Sequence, residues 1–208
     1  DLLRVESTLT GSAEDSWTFD AKVLVRGEAA SSGTVTLRRF DPASALRPPA
    51  AVEQPLPEAL AGTAADLGAI LGMVPHRFPF LLVDRLAVID QNRVVGIKNV
   101  SGNEALFRGR APSSFPVFPG FLQIEAAAQA ACARALQLPE NQGKLGYFMS
   151  VDEATFSEPV QPGDQLILDV TMSMRGHFGV TTATLSVAGR TVTEAAMKFA
   201  IVERPSAA

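Results

Sequence analysis

Alternating apolar and polar positions mark the first forty residues of the chain. Leu3, Val5 and Leu9 fall on one face of a strand with a two-residue period. Residues 19–25 and 34–40 are further strand-like runs that contain valine, leucine and phenylalanine. This pattern predicts a small region built only from strands.

Helix-like and strand-like runs alternate after a proline-rich stretch that follows these forty residues. In chain order it predicts a short helix at 64–73, strands at 80–89 and 93–100, a long helix at 122–138, and strands near 146–156, 164–175, 178–188 and 190–202. The long helical run is rich in alanine, has no internal glycine or proline and carries few charges. Such a helix is expected to be buried on most sides, so the pattern favours an α+β sheet wrapped around one central helix.

Prolines separate these two regions. Five of them lie between Asp41 and Gly62, where they block both helical and ladder hydrogen bonds. We predict an extended linker, rich in alanine and proline, over residues 41–66; a long ordered loop wrapped over a surface is the alternative. A start without methionine suggests that the chain is a piece of something longer.

The two ends of the chain repeat each other. Residues 1–40 and 164–202 each give a strand, a break, a strand ending in Val-x-Gly and a final strand. Gly27 of the first repeat matches Gly189 of the second. We interpret residues 1–40 as the second half of a duplicated fold whose full copy spans residues 67–203; two unrelated meanders that look alike are the alternative.

Composition narrows the class of protein. Hydrophobic residues make up 47% of the chain and charged residues 19%, which is enough apolar material for a sizeable core. The net charge of −4 argues against nucleic acid or an anionic membrane as a partner. The single cysteine, Cys132, excludes an intramolecular disulfide and a cysteine-based zinc cluster, and it favours a cytoplasmic location. Long apolar spans, glycine-rich phosphate loops and metal-ligand clusters are absent from the sequence.

Four ordered segments carry a resemblance to a known family. Residues 74–85, which read VPHRFPFLLVDR, resemble the opening signature of the 3-hydroxyacyl-acyl-carrier-protein dehydratases of fatty-acid synthesis, which have the hot-dog fold. Residues 97–104, 118–126 and 156–164 resemble three later segments of that family in the same order. The resemblance implies an α+β hot-dog at residues 67–203, preceded at residues 1–40 by the C-terminal half of another.

The resemblance also implies a site at the start of the long helix. Dehydration of a 3-hydroxyacyl thioester needs a base at C2, an acid at C3 and a hydrogen-bond donor for the enolate oxygen. Glu125 matches the family's acid, Gly120 matches the amide that binds the thioester carbonyl, and Gln129 matches a residue that orients the acid. Simpler alternatives are a glutamate stabilised by the helix dipole, a turn glycine and a glutamine satisfied by backbone.

The position of the family's catalytic base holds a different residue in this chain. Where the family has a histidine in a Gly-His-Phe-Pro loop, this chain has Arg110, and a guanidinium does not accept a proton near neutral pH. Arg110 could contact a phosphopantetheine phosphate or a carboxylate, or fill the site. His76 matches a family histidine that is mainly structural. Five phenylalanines are candidates for an acyl tunnel or for the core: Phe115, Phe118, Phe121, Phe148 and Phe156.

These observations predict a dehydratase that acts on acyl chains carried by acyl carrier protein. In this interpretation Glu125 is the acid, and a histidine from a second hot-dog, in the same polypeptide or in a homo-oligomer, is the base. The resemblance implies no metal and no cofactor beyond the carrier's phosphopantetheine. The alternatives are a non-catalytic hot-dog that serves as a scaffold or binds acyl groups, and a hot-dog thioesterase.

Overall fold

The computed structural model describes residues 2–39, 41, 57–61, 64–107 and 116–204. The chain divides into two compact units, Asp1–Pro48 and Pro49–Ala208.

The first unit is a three-stranded antiparallel meander. Its strands are β1 (Leu3–Ala13), β2 (Ser16–Val25) and β3 (Glu28–Arg38), with β2 in the middle. All three predicted strands are therefore confirmed. Val5 lies opposite Val23 and Phe19 lies opposite Val35, so apolar residues of all three strands share one face.

The second unit is a six-stranded antiparallel sheet with the order β4-β5-β7-β8-β9-β6. Its strands are β4 (Arg85–Val88), β5 (Arg93–Asn99), β6 (Leu145–Phe156), β7 (Gln165–Arg175), β8 (Phe178–Val187) and β9 (Arg190–Val202). Among the described residues of this unit, three α-helices accompany the sheet: α1 (Glu58–Ala61), α2 (Leu67–Met73) and α3 (Gly120–Leu136). The sheet wraps around α3, which contacts β5 to β9.

Alanine explains how α3 fits inside the sheet. Small side chains let the helix backbone approach the strands closely, and most of its alanines are buried in the main core. The sheet contributes larger residues such as Leu168, Leu185 and Met197 to the same core, where each fully buried side chain stabilises the fold by about 1.5–3 kcal/mol. Two buried glutamines, Gln123 and Gln129, interrupt this apolar helix surface.

One predicted strand is shorter than expected. The sequence predicts a strand over residues 80–89, but β4 covers only Arg85–Val88. The reason is that the main chain at Phe80 and Leu82 hydrogen-bonds to a side chain, and contact with β5 starts only at the Asp84 amide, which donates to the Ile97 carbonyl at 2.8 Å. Gln129 accepts a hydrogen bond from the Leu82 amide at 2.9 Å and donates one to the Phe80 carbonyl at 2.7 Å.

The packed chain also begins earlier than the predicted boundary at residue 67. Part of the predicted linker, residues 41–66, lies outside the described residues, but α1 and residues 64–66 do not. Leu60 of α1 is fully buried in a second, smaller core with Ile97 and Ile167. The Ala65 amide donates to the Leu86 carbonyl at 2.7 Å, which adds this residue to the edge of the sheet.

Candidate active site

A cavity of about 210 Å³ lies beside α3 in the second unit. It is lined by His76, Phe80, Glu125, Ala128, Gln129, Cys132, Gly146, Tyr147, Phe148 and Phe199. Most of this lining is aromatic or apolar, and the polar side chains cluster on the side formed by α3 and the segment after α2. An apolar cavity with a few convergent polar groups is the usual form of a small-molecule site.

Glu125 presents its carboxyl group from α3 into this cavity. Its side chain is 20% exposed, so the carboxyl is accessible but largely surrounded by protein. Gln129 lies one helical turn later and donates a hydrogen bond to Glu125 Oε1 at 2.9 Å. The structure therefore brings together the two α3 residues that the sequence selected.

Gln129 also connects the carboxyl to the rest of the fold. Its amide nitrogen donates to both Glu125 and the Phe80 carbonyl, while its amide oxygen accepts from Leu82. All of these contacts form at a side chain that is 1% exposed. Because the glutamine is fixed at both ends, the position of the Glu125 carboxyl is fixed by the chain before β4.

His76 is the second polar group in contact with Glu125. Its Nε2 lies 3.5 Å from Glu125 Oε1, and its ring centroid lies 6.2 Å from that of Phe80. Its Nδ1 is buried without a hydrogen-bond partner among the residues that the structure describes. The guanidinium of Arg77 donates to the carbonyl oxygens of Val74 and His76, which fixes the backbone that carries this imidazole.

Gly120 is the first residue of α3. A Cβ atom at this position would lie 2.5 Å from the ring of Phe156, so a larger residue requires that ring to move. The first amides of a helix have no intrahelical acceptor and carry the positive end of its dipole. The helix start is therefore suited to a ligand carbonyl that gains negative charge.

Gly120 is not among the residues that line the cavity, and neither are the predicted binding residues Phe118 and Phe121. Phe118 is fully buried in the core, and its amide donates to the Val160 carbonyl. Phe121 is 69% exposed. Arg110 lies outside the described residues, as does the rest of segment 108–115. Just before that segment, Lys98 and Glu104 form a largely buried ion pair of 2.6 Å.

Sequence reasoning missed part of the cavity wall. The sequence predicts no role for Tyr147 or Phe199, and it offers Phe148 only as one of the five phenylalanines that are candidates for a tunnel or for the core. The pairing of β6 with β9 places Phe148 directly opposite Phe199. Only that cross-strand register identifies the pair, because the two residues are far apart in the sequence.

Cys132 is a small buried residue, and it lies against the β6 backbone at Gly146. Burial is the main factor that raises the pKa of its thiol, to about 11, and the charge of Glu125 acts in the same direction. A backbone hydrogen bond from Gly146 acts in the opposite direction. The thiol therefore stays protonated and unreactive at neutral pH.

We expect Cys132 in the folded protein to react with iodoacetamide at pH 8 about 100-fold more slowly than in urea, because the raised pKa reduces the thiolate fraction by that factor. The raised pKa also makes the stability of the protein depend on pH. Because the folded state holds the thiol proton more tightly than the unfolded state, the contribution of Cys132 to the free energy of unfolding is constant below pH 9 and is lost as pH rises from 9 to about 11. Alkylation rates and urea titrations measure both effects. A Cys132→Ala control should lack this pH dependence, and equal alkylation rates in the two states would contradict the prediction.

Among the described residues there is no group of histidine, cysteine and acidic side chains that could hold a metal ion. Nor does any helix in that part of the chain have the length and apolar character needed to cross a membrane.

The sheet around α3 and the carboxyl at its first turns define a hot-dog protein with an acidic residue on its central helix. Residues 74–196, more than half of the chain, match the model of the FabA-like domain. The chain belongs to this family of 3-hydroxyacyl-acyl-carrier-protein dehydratases, which are hydro-lyases. This confirms the predicted family and the α+β hot-dog fold; the tandem arrangement stays a prediction.

Curated relatives agree with this assignment. The 3-hydroxyacyl-[acyl-carrier-protein] dehydratase FabZ of Geobacillus thermodenitrificans is 44% identical over 143 residues, which cover 68% of this chain and 98% of that protein. FabZ of Halalkalibacterium halodurans is 47% identical over 131 residues, which cover 62% of this chain and 93% of that protein.

A solved structure agrees in fold. The dehydratase heterocomplex ApeI:P from Xenorhabdus doucetiae contains a chain that matches with a TM-score of 0.56 and 17% identity. The match covers 65% of this chain and 91% of that chain.

Proposed function

We propose that the second unit removes water from 3-hydroxyacyl thioesters on acyl carrier protein and forms trans-2-enoyl thioesters. The observation that carries this proposal is the Glu125 carboxyl, which Gln129 fixes at the wall of a largely apolar cavity. Family membership supports the substrate class, since the relatives are named for it.

Glu125 acts as the general acid in this proposal. A base takes the proton from C2, the C3–O bond breaks, and Glu125 donates a proton to the departing hydroxide, which leaves as water. Negative charge develops on the thioester oxygen during this step. The Gly120 amide at the start of α3 donates to that oxygen. No step requires a metal or a cofactor other than the phosphopantetheine that carries the substrate.

We assign the base to an imidazole from a second hot-dog, in the same polypeptide or in a homo-oligomer. Arg110 stands where the family has its histidine, and a guanidinium does not accept the C2 proton. His76 contacts Glu125 directly, at 3.5 Å. We therefore assign His76 to orienting the carboxyl.

The test is an assay of the whole protein, with any partner that copurifies, on a 3-hydroxyacyl thioester of acyl carrier protein. Growth of enoyl-thioester absorbance without release of free thiol supports a dehydratase. Release of free thiol would make the protein a thioesterase. Bound substrate with no conversion would make it a non-catalytic hot-dog that binds acyl groups.

A His76→Gln variant separates the two assignments of the base. If His76 only orients Glu125, turnover falls but keeps a pH–rate profile with a limb for ionisation of another base. If turnover falls as far as in Glu125→Gln and the limb at low pH, where protonation inactivates a base, disappears, His76 is itself the base, and the second-hot-dog assignment is wrong.

A further inference from the structure

The shared apolar face of the first unit is open to solvent. Five large apolar residues on this face are between 48% and 67% exposed. They are Leu3, Val5, Leu9, Val35 and Leu37. A contiguous exposed patch of this kind marks a surface that another element covers.

The second unit contains the same three strands. β2 and β3 correspond to β8 and β9 at one constant offset, which is the sequence separation of Gly27 and Gly189. The hairpin turns agree in conformation as well as in position. Arg26 and Gly27 have φ of 54° and 86°, and Ala188 and Gly189 have φ of 49° and 74°. Both turns have the type I′ conformation that two-residue hairpins favour, so their shared position at the constant offset, rather than the conformation alone, is the evidence for correspondence.

The irregularities of the two ladders also coincide. The β2–β3 register shifts between Val23 and Leu24, and the β8–β9 register shifts between Leu185 and Ser186, which is the same position at the same offset. A bulge at the same position in two ladders makes chance similarity of two meanders a poor explanation.

The matching face in the second unit is covered by α3. Val35 corresponds to Met197, because the two residues have the same sequence separation as Gly27 and Gly189. Their cross-strand partners, Phe19 and Thr181, have that separation as well. Met197 is 1% exposed and belongs to the core around α3.

The correspondence extends to the first strand. A bulge between Leu9 and Gly11 adds one residue to β1. Val5 precedes this bulge and pairs with Val23. Val23 corresponds to Leu185, and Leu185 pairs with Leu168, so Val5 corresponds to Leu168. Leu168 is fully buried beneath α3.

The edges of the first sheet give a second, independent indication. In the second unit, β7 also pairs with β5 and β9 also pairs with β6, so neither strand is an edge. Their counterparts β1 and β3 have only β2 as a neighbour within the described residues. Open edges on both sides of a sheet offer unpaired backbone groups to further strands.

We propose that this face binds the helix-bearing half of another hot-dog: an alanine-rich helix of about the length of α3, with a strand on each side of it. In the second unit that half precedes β7 in the chain, so by correspondence the partner segment precedes β1 in the same polypeptide. The inference does not rest on the proposed function, because it concerns only which segment covers the apolar face of the first unit.

The experiment uses the whole polypeptide with benzoylphenylalanine, a photocrosslinking amino acid, in place of Val35. Thr36 is the matched control, because it lies on the opposite face, where its hydroxyl pairs with that of Thr18 at 3.0 Å. Leu37 provides a second test position if the substitution at Val35 prevents folding. Irradiation followed by peptide mapping identifies the segment in contact.

Crosslinks from positions 35 and 37 to a helical segment on the N-terminal side of β1, absent at position 36, support the inference. Three results would overturn it: a crosslink between the same faces of two copies, a crosslink to a different polypeptide, or no crosslink from either position. None of these readouts depends on turnover, so a failed dehydration assay would leave the inference intact.

Discussion

A Glu125→Gln variant is expected to lose dehydration activity by about 10² to 10⁴-fold, the range for removal of a general acid. The substitution removes the proton that must reach the leaving hydroxyl, while its amide oxygen still accepts the hydrogen bond from Gln129. The fold and the binding of substrate should change little, because the two side chains have nearly the same shape. Enoyl-thioester absorbance under single-turnover conditions measures the loss, and thermal unfolding checks the fold.

Glu140→Gln is the matched control for this experiment. Glu140 is an exposed carboxylate just after α3, so its removal changes the net charge in the same way without touching the cavity. Activity equal to that of the parent protein is expected. If Glu125→Gln also retains full activity, Glu125 is not the acid and the proposed mechanism fails.

Local patterns in the sequence predicted most of the fold. Strand alternation, turn residues and the alanine-rich helical run depend on neighbours within a few positions, and the predicted elements around α3 were confirmed. The run at residues 80–84 was the exception. It has a strand-like composition, but the main chain at Phe80 and Leu82 pairs with the side chain of Gln129, and no local pattern can report a partner so distant in sequence.

The residues of the candidate site also differ in whether a local sequence pattern can identify them. Glu125 and Gln129 could be found together because both lie on one helix, one turn apart. The contact between His76 and Glu125 depends on how the segment after α2 crosses α3, and the pairing of Phe148 with Phe199 depends on strand register. These are tertiary relations, so they became visible only in the structure.

A Gln129→Met variant should lower both stability and turnover. Methionine has a similar shape but leaves the Leu82 amide and the Phe80 carbonyl without their partner, so we expect the free energy of unfolding to fall by about 3 kcal/mol. Glu125 also loses the hydrogen bond that orients it, so kcat should fall in the protein that remains folded, with a smaller change in KM. Urea unfolding and steady-state kinetics at low temperature measure the two effects separately.

Gln123→Met distinguishes positioning from stability. Gln123 is equally buried on α3, but it donates to the Phe118 carbonyl and accepts from the Thr193 hydroxyl, and residues two apart on a helix, such as Gln123 and Glu125, do not face each other. This variant should lose a comparable free energy of unfolding and keep a kcat close to that of the parent protein. If the two variants lower kcat equally, Gln129 acts only through the stability of the helix. A loss confined to Gln129→Met would show that the glutamine that anchors the chain before β4 also positions the Glu125 carboxyl.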